Sequence, residues 1–237
     1  MTSLNQKKKT CICANCDFRD EIFSPLDDQF IENLCKNKEE HLFRKSEIIN
    51  HEGEEIYTVN YLKSGLVKLY RGTTIGEEQV LTITKPFEFV SNISIFSEQR
   101  YQYSVSALED CACCMIKIDF IKDMFFKNGA FAMRLLNKIS MINDKIITQI
   151  LNIYYRNLNG RVAYVLLYFT KDIYNSRVFN LPISREEFAK YIGMSNANVI
   201  RTLTSFNREG IIKINGKIIE VVDINQLEVI SKLGRFR

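Results

Sequence analysis

The sequence predicts an α+β protein in three successive parts: a roll of short strands, one long amphipathic helix, and two short helices followed by a hairpin. Three observations predict it. Between residues 41 and 118, runs of Ile, Val, Leu and Tyr are broken by Glu52-Gly53, Ser64-Gly65, Arg71-Gly72 and Ile75-Gly76, a strand texture of barrel or jelly-roll type. From about residue 119 the apolar period becomes helical. Residues 184–222 then carry two helix-cap signals and an Asn-Gly turn between β-branched runs.

Composition sets the bounds. With 237 residues and 46% hydrophobic content, the chain can bury one large core or two moderate ones. Its start, Met-Thr-Ser-Leu-Asn-Gln-Lys-Lys-Lys-Thr, has no apolar stretch behind its charges, so no secretory signal is expected. The longest apolar run, Val162 to Phe169, is too short to span a bilayer and reads as a buried helix. A cytoplasmic protein with no membrane partner is expected. Seven cysteines in such a compartment point toward metal or redox chemistry rather than structural disulfides.

In the roll, Tyr57–Leu62 and Leu66–Tyr70 flank a Lys-Ser-Gly turn and read as a hairpin. The helix that follows places Leu135, Ile139, Ile142, Ile146, Ile150 and Ile153 at steps of 4, 3, 4, 4 and 3. That spacing is a heptad-like seam for dimerisation. Leu136, Ile147 and Leu151 widen the stripe, so the helix is expected to face both its own roll and a second copy. A helix packed only within its own chain is the alternative.

Ser184 N-caps the next helix, and Glu187 completes a capping box. Phe188, Ala189 and Ile192 form its buried side, Gly193 permits a turn, and Ser195 caps a second helix. On that helix Val199, Leu203 and Phe206 make one buried stripe. Asn196, Ala197, Ile200 and Arg201 lie on another side, where a helix-turn-helix presents side chains to the major groove. An ordinary helical hairpin would share part of this pattern. The runs Ile211–Ile214 and Lys217–Val222, joined by Asn215-Gly216, add a hairpin with Lys213 and Lys217, which makes the module a winged helix. The turn between them is expected to be type I′. Residues 158–237 hold 12 Lys+Arg against 7 Asp+Glu, a net +5, while the rest of the chain is −1. The positive excess therefore sits with the winged helix and favours a polyanionic partner.

This order of parts resembles the Crp/Fnr family of bacterial transcription regulators over roughly residues 20 to 225. The resemblance is carried by Leu62–Tyr70 (Leu-Lys-Ser-Gly-Leu-Val-Lys-Leu-Tyr), by Ala107-Leu108-Glu109-Asp110, by Leu181–Ala189, and by Ile192-Gly193 leading to Val199-Ile200-Arg201. It implies a cysteine-containing segment (1–20), a cyclic-nucleotide-binding-like β-roll (21–128), a dimerisation helix (129–156) and a winged helix-turn-helix (157–237). It further implies a homodimer that binds double-stranded DNA, RNA polymerase as a partner, and no enzymatic activity.

The family resemblance also bears on the effector. Cyclic-nucleotide-binding members hold the ribose and phosphate with Gly-Glu and Arg-Ser or Arg-Thr pairs. Here the corresponding stretches, Lys85–Asn92 and Glu98–Ser104, have no glycine, and Tyr101 follows Arg100, so cAMP is not expected. In the oxygen-sensing Fnr branch, an N-terminal cysteine group and one later cysteine ligate a [4Fe–4S] cluster, which takes four thiolates. The matching residues are Cys11, Cys13, Cys16 and Cys114. The spacing Cys11-x-Cys13-x-x-Cys16 is tighter than the family's, and Cys35, Cys111 or Cys113 could replace one ligand. Zinc on Cys13-x-x-Cys16, or no metal at all, remain alternatives. His41 and His51 are the only histidines, and both fall in the roll, away from the cysteines.

On the DNA side, many members carry a glutamate where Ala197 stands, which leaves at most an apolar contact to a thymine methyl. Arg201 could take a guanine bidentately and Asn196 an adenine. Arg185, Ser195, Asn198, Lys213 and Lys217 are expected near phosphates, and Ser184 is expected among the DNA-binding residues. An iron–sulfur redox protein and a regulator with a different effector are the competing readings. The absence of flavin or nicotinamide glycine motifs argues against the first.

Overall fold

The computed structural model describes residues 28–72, 78–90, 96 and 99–234. Helix α1 (Asp28–Lys36) leads into eight short strands: β1 (Lys38–Phe43), β2 (Ile48–Asn50), β3 (Thr58–Ser64), β4 (Val67–Gly72), β5 (Glu78–Thr84), β6 (Phe89–Val90), β7 (Ser104–Ala107) and β8 (Cys111–Lys117). They form two four-stranded sheets, ordered β1-β8-β3-β6 and β2-β7-β4-β5. The core of this roll is made by Val59, Tyr61, Leu62, Ile83, Val105, Cys113 and Ile116, each 2% exposed or less. The Phe30 ring of α1 lies 5.9 Å from Phe120 and 5.5 Å from Phe131, both in the helices that follow the roll.

The expected hairpin between Tyr57 and Tyr70 is corrected by this topology. β3 pairs with β6 and β8, whereas β4 lies in the other sheet and pairs with β7. The Lys-Ser-Gly segment is a corner at which the chain changes sheets. Gly65 makes that corner with φ +79°, and a Cβ there would lie 2.5 Å from the Asp110 carbonyl oxygen and 2.7 Å from Cys111 Cβ. Only glycine fits both the conformation and the space.

Helix α2 (Ile118–Lys127) follows β8 and buries Ile118 and Ile121. The long helix α3 runs over Gly129–Tyr154. Its seam divides in a way the apolar spacing did not distinguish. Leu135, Ile142, Ile146 and Ile153 are buried within the single chain, Ile139 is half-buried, and Ile150 is exposed. A second apolar face, Met133, Leu136, Ile147, Leu151 and Tyr154, is 45 to 71% exposed. Those residues follow one another at helical intervals on a side away from the buried seam.

The described chain divides into two compact units. One holds residues up to Gly72 with Thr82–Lys145, and the other holds 78–81 with Ile146 onward. Helix α3 crosses the division. Past it, the second unit contains α4 (Leu158–Tyr168), a π turn (Phe169–Ile173), β9 (Val178–Asn180), α5 (Arg185–Ile192), α6 (Asn196–Arg208), β10 (Ile212–Asn215), β11 (Ile218–Val221) and α7 (Ile224–Leu233). Val162, Ala163, Val165 and Leu166 of α4, Phe188 and Ile192 of α5, and Val199, Leu203 and Phe206 of α6 are all buried, as are Leu227 and Ile230 of α7. Among the described residues no helix is long and apolar enough to cross a membrane.

Candidate nucleic-acid interface

The two helices α5 and α6 are set by their caps. Ser184 Oγ accepts from the Glu187 amide at 3.1 Å, and the Glu187 carboxylate accepts from the Ser184 amide at 2.8 Å, a complete capping box. Gly193 ends α5 in the left-handed region at φ 63°, and the Met194 amide donates back to the Ala189 carbonyl at 2.9 Å. Ser195 Oγ then accepts from the Asn198 amide at 3.3 Å and starts α6. Each cap satisfies a backbone group that the helix end would otherwise leave without a partner.

Burying Val199, Leu203 and Phe206 turns the opposite face of α6 outward. Asn196, Ala197, Ile200, Arg201, Thr204 and Arg208 are all exposed there. The Arg201 guanidinium donates to Asn198 Oδ1, so the cation is held over the first turn of the helix. The Thr204 hydroxyl donates to the Ile200 carbonyl at 2.9 Å. Arg185, the first residue of α5, is half-buried, and that burial lowers its pKa from the ordinary arginine range. Ser184 is exposed beside it.

The wing is a three-stranded sheet ordered β10-β11-β9, so β9 is a strand the sequence pattern did not reveal. Asn215 pairs with Ile218, which leaves Gly216 and Lys217 as the two turn residues. Only Gly216 has a positive φ, 59°, which matches a type II′ turn and corrects the expected type I′. Asn207 Oδ1 accepts from the Ile214 amide at 3.0 Å and ties the wing to α6. Lys217 is exposed at the turn, and Lys213 is exposed with its Nζ 3.7 Å from Glu220. Both lysines are exposed, the Lys213 side chain at 70%.

Sequence reasoning missed Arg161. Its guanidinium donates to the Ile192 carbonyl at 3.0 Å, the Arg156 carbonyl at 2.9 Å and the Tyr154 carbonyl at 3.4 Å. One side chain thus caps the carbonyl ends of both α3 and α5, where a cation also meets the negative end of each helix. An arginine inside an apolar helical segment gives no sign of this in sequence, because its acceptors are backbone carbonyls, one of them, Ile192, 31 residues away.

Of the cysteines, Cys11, Cys13 and Cys16 lie outside the described residues. Cys114 is 1% exposed on β8, opposite Glu40 of β1 and Tyr61 of β3. Cys111 and Cys113 are buried on the same strand, and a hydrogen bond between them, with burial, pushes the Cys113 thiol pKa far up. Cys35 is half-buried on α1. Among the described residues no three His, Cys, Asp or Glu side chains are grouped so as to hold a metal ion. A cluster therefore cannot be built from Cys35, Cys111, Cys113 and Cys114 alone. His41 lies 3.1 Å from Glu39, and His51 is exposed.

Comparison with known proteins agrees with this architecture. Residues 40–128 match the cyclic nucleotide-binding domain, and residues 160–230 match the Crp-like helix-turn-helix domain. The chain belongs to the Crp/Fnr family. Like the rest of that family, this Crp/Fnr member is a DNA-binding transcription regulator of a dimeric class, and the family's members are regulators rather than enzymes. The anaerobic regulatory protein of Haemophilus influenzae is 25% identical to it over 201 residues, covering 83% of this chain and 77% of that one. The transcriptional activator protein anr of Pseudomonas aeruginosa is 25% identical over 195 residues, covering 78% and 77%. FixK2 from Bradyrhizobium japonicum shares the fold with a TM-score of 0.73 at 21% identity, over 80% of this chain and 95% of that one.

Proposed function

We propose that this Crp/Fnr regulator is a cytoplasmic homodimer that reads a specific DNA sequence and responds to oxygen, nitric oxide or redox state through a [4Fe–4S] cluster on Cys11, Cys13, Cys16 and Cys114. The observation that carries the DNA half is the capped, outward face of α6, with Arg201 held over its first turn. In this reading Arg201, Asn196 and Ala197 meet base edges, while Ser184, Arg185, Ser195, Asn198, Lys213 and Lys217 meet phosphates. The second apolar face of α3 supports the dimer, since five large apolar side chains on one helix need a cover. The same helix in a second copy supplies it. RNA polymerase is the protein partner this reading requires.

The sensing half is supported by the crowding of three cysteines within residues 11–16, by Cys114 on a buried strand, and by relatives named as anaerobic regulators. Bound there, the cluster would supply an oxidant-labile link between the N-terminal segment and β8. The residues on hand fit it in part: Cys114 offers one thiolate, and the other three must come from residues 11–16. Moving a regulator from 1:99 to 99:1 active takes about 5.5 kcal/mol of bias, within reach of metal–thiolate coordination. Cyclic nucleotide is not the proposed effector. Arg100 pairs with Glu55 at 2.9 Å and donates to the Gly53 carbonyl at 2.8 Å, and Tyr101 beside it is buried, donating to the Thr58 carbonyl.

Purification without oxygen tests the sensing half. The wild-type protein is expected to be coloured and to carry about four iron atoms per chain. Cys114→Ser is expected to lose the visible absorption, and oxygen is expected to lower wild-type affinity for DNA. A colourless, iron-free wild type that still binds DNA would remove the cluster and leave a regulator with another effector.

A further inference from the structure

The outward face of α6 is less polar than an interface with DNA needs for hydrogen bonding alone. Ala197, Ile200 and Thr204 stand at steps of three and four, one stripe along the helix, and all three are exposed, Ile200 at 47%. Thr204 looks polar in the sequence. Its hydroxyl proton, however, is committed to the Ile200 carbonyl at 2.9 Å, so toward a groove the side chain offers its γ-methyl and an acceptor oxygen but no donor. Three methyl-bearing groups thus line up between the flanking polar residues Asn196 and Arg201.

Resting on the DNA-binding reading above, we infer that Ile200 is a specificity-determining residue, and that with Ala197 and the Thr204 methyl it reads the C5-methyl groups of thymines in the major groove. In that groove the thymine methyl is the one apolar group a base pair presents. Seven helical residues span about 10 Å, close to three base-pair steps of about 3.4 Å, so one stripe can meet methyls on successive pairs. The placement argues for DNA as the occupant. The stripe lies in the first turns of the helix that follows the Gly193 turn, beside Arg201, in the unit that carries the chain's positive excess. An isolated exposed isoleucine would need no explanation. Here Ile200 lies one turn from both Ala197 and Thr204 on a single exposed stripe of the same helix.

The test uses the full-length protein and the duplex it selects from a randomised pool. Each thymine of that duplex is replaced in turn by uracil, which differs only in lacking the C5 methyl. Wild-type affinity is expected to fall about fourfold at one to three positions per half-site, the effect of one buried methyl. Ile200→Ala is expected to bind the thymine duplex several-fold more weakly and to lose the uracil effect at its position, while Ile200→Val keeps it. Because Ile200 is exposed, these variants leave the core intact. Equal affinity for thymine and uracil duplexes, or an uracil effect that survives Ile200→Ala, overturns the inference and leaves the stripe to solvent or a protein partner. If no duplex is selected at all, the DNA reading itself fails, and the inference falls with it.

Discussion

Phe206→Ala is expected to destabilise the second unit by about 3–5 kcal/mol, the range for removing a large aromatic side chain from a packed core. The ring is fully buried, at the end of the stripe that Val199 and Leu203 begin. Its carbonyl also accepts from the Ile211 amide at 3.0 Å, at the point where the chain turns from α6 into the wing. The cavity therefore opens where both elements are held. A domain of this size has about 5–15 kcal/mol in total, so most of its margin disappears. Urea unfolding of the full-length protein, followed by circular dichroism because the chain has no tryptophan, would show it as a shifted midpoint of one transition. A shift worth less than about 1 kcal/mol would mean that α6 is not packed as described.

Arg201→Ala acts on the exposed side of the same helix and should leave stability nearly unchanged. Specific DNA affinity is expected to fall by about 1–3 kcal/mol, with preference relaxed at one base pair. The bond to Asn198 Oδ1 holds the guanidinium, so Asn198→Ala should reproduce part of the loss by letting the cation move. Affinity for random duplexes should fall only by the one phosphate-range charge removed, about 0.9 in the log–log salt slope at most. Equal losses on selected and random DNA would make Arg201 a phosphate contact and move the reading of bases elsewhere on the helix.

The two helices of the DNA-binding unit were legible because their signals are local. Ser184 and Glu187, Gly193, and Ser195 are each within four residues of the groups they bond, and the apolar stripe of α6 repeats at the helical period. The roll was legible as strands but not as pairings. Lys63-Ser64-Gly65 looks like a hairpin turn until the Asp110 and Cys111 backbone, far along the chain, closes over Gly65. The α3 seam shows the same limit. Leu135 and Leu136 are equally apolar, and only the fold decides that one is 1% and the other 54% exposed.

At the site, the outward residues of α6 followed from burying its other face, so Asn196, Ala197 and Arg201 could be named in advance. The turned-back hydroxyl of Thr204 and the carbonyls gathered by Arg161 could not, since both depend on side-chain geometry against backbone atoms. β9 was hidden for another reason. Three residues, Val178-Phe179-Asn180, are too few to show an alternation, and they become a strand by pairing with Ile218–Glu220.

On the proposed reading, two copies of this chain joined along α3 place two α6 helices in successive major grooves. Selection of duplexes from a randomised pool by the full-length protein, with the number of chains per selected duplex counted, tests it most directly. Two inverted half-sites with centres one helical turn apart, about 34–36 Å, and two chains per duplex are the expected result. A single uninverted site bound by one chain, or no enriched sequence, would contradict it.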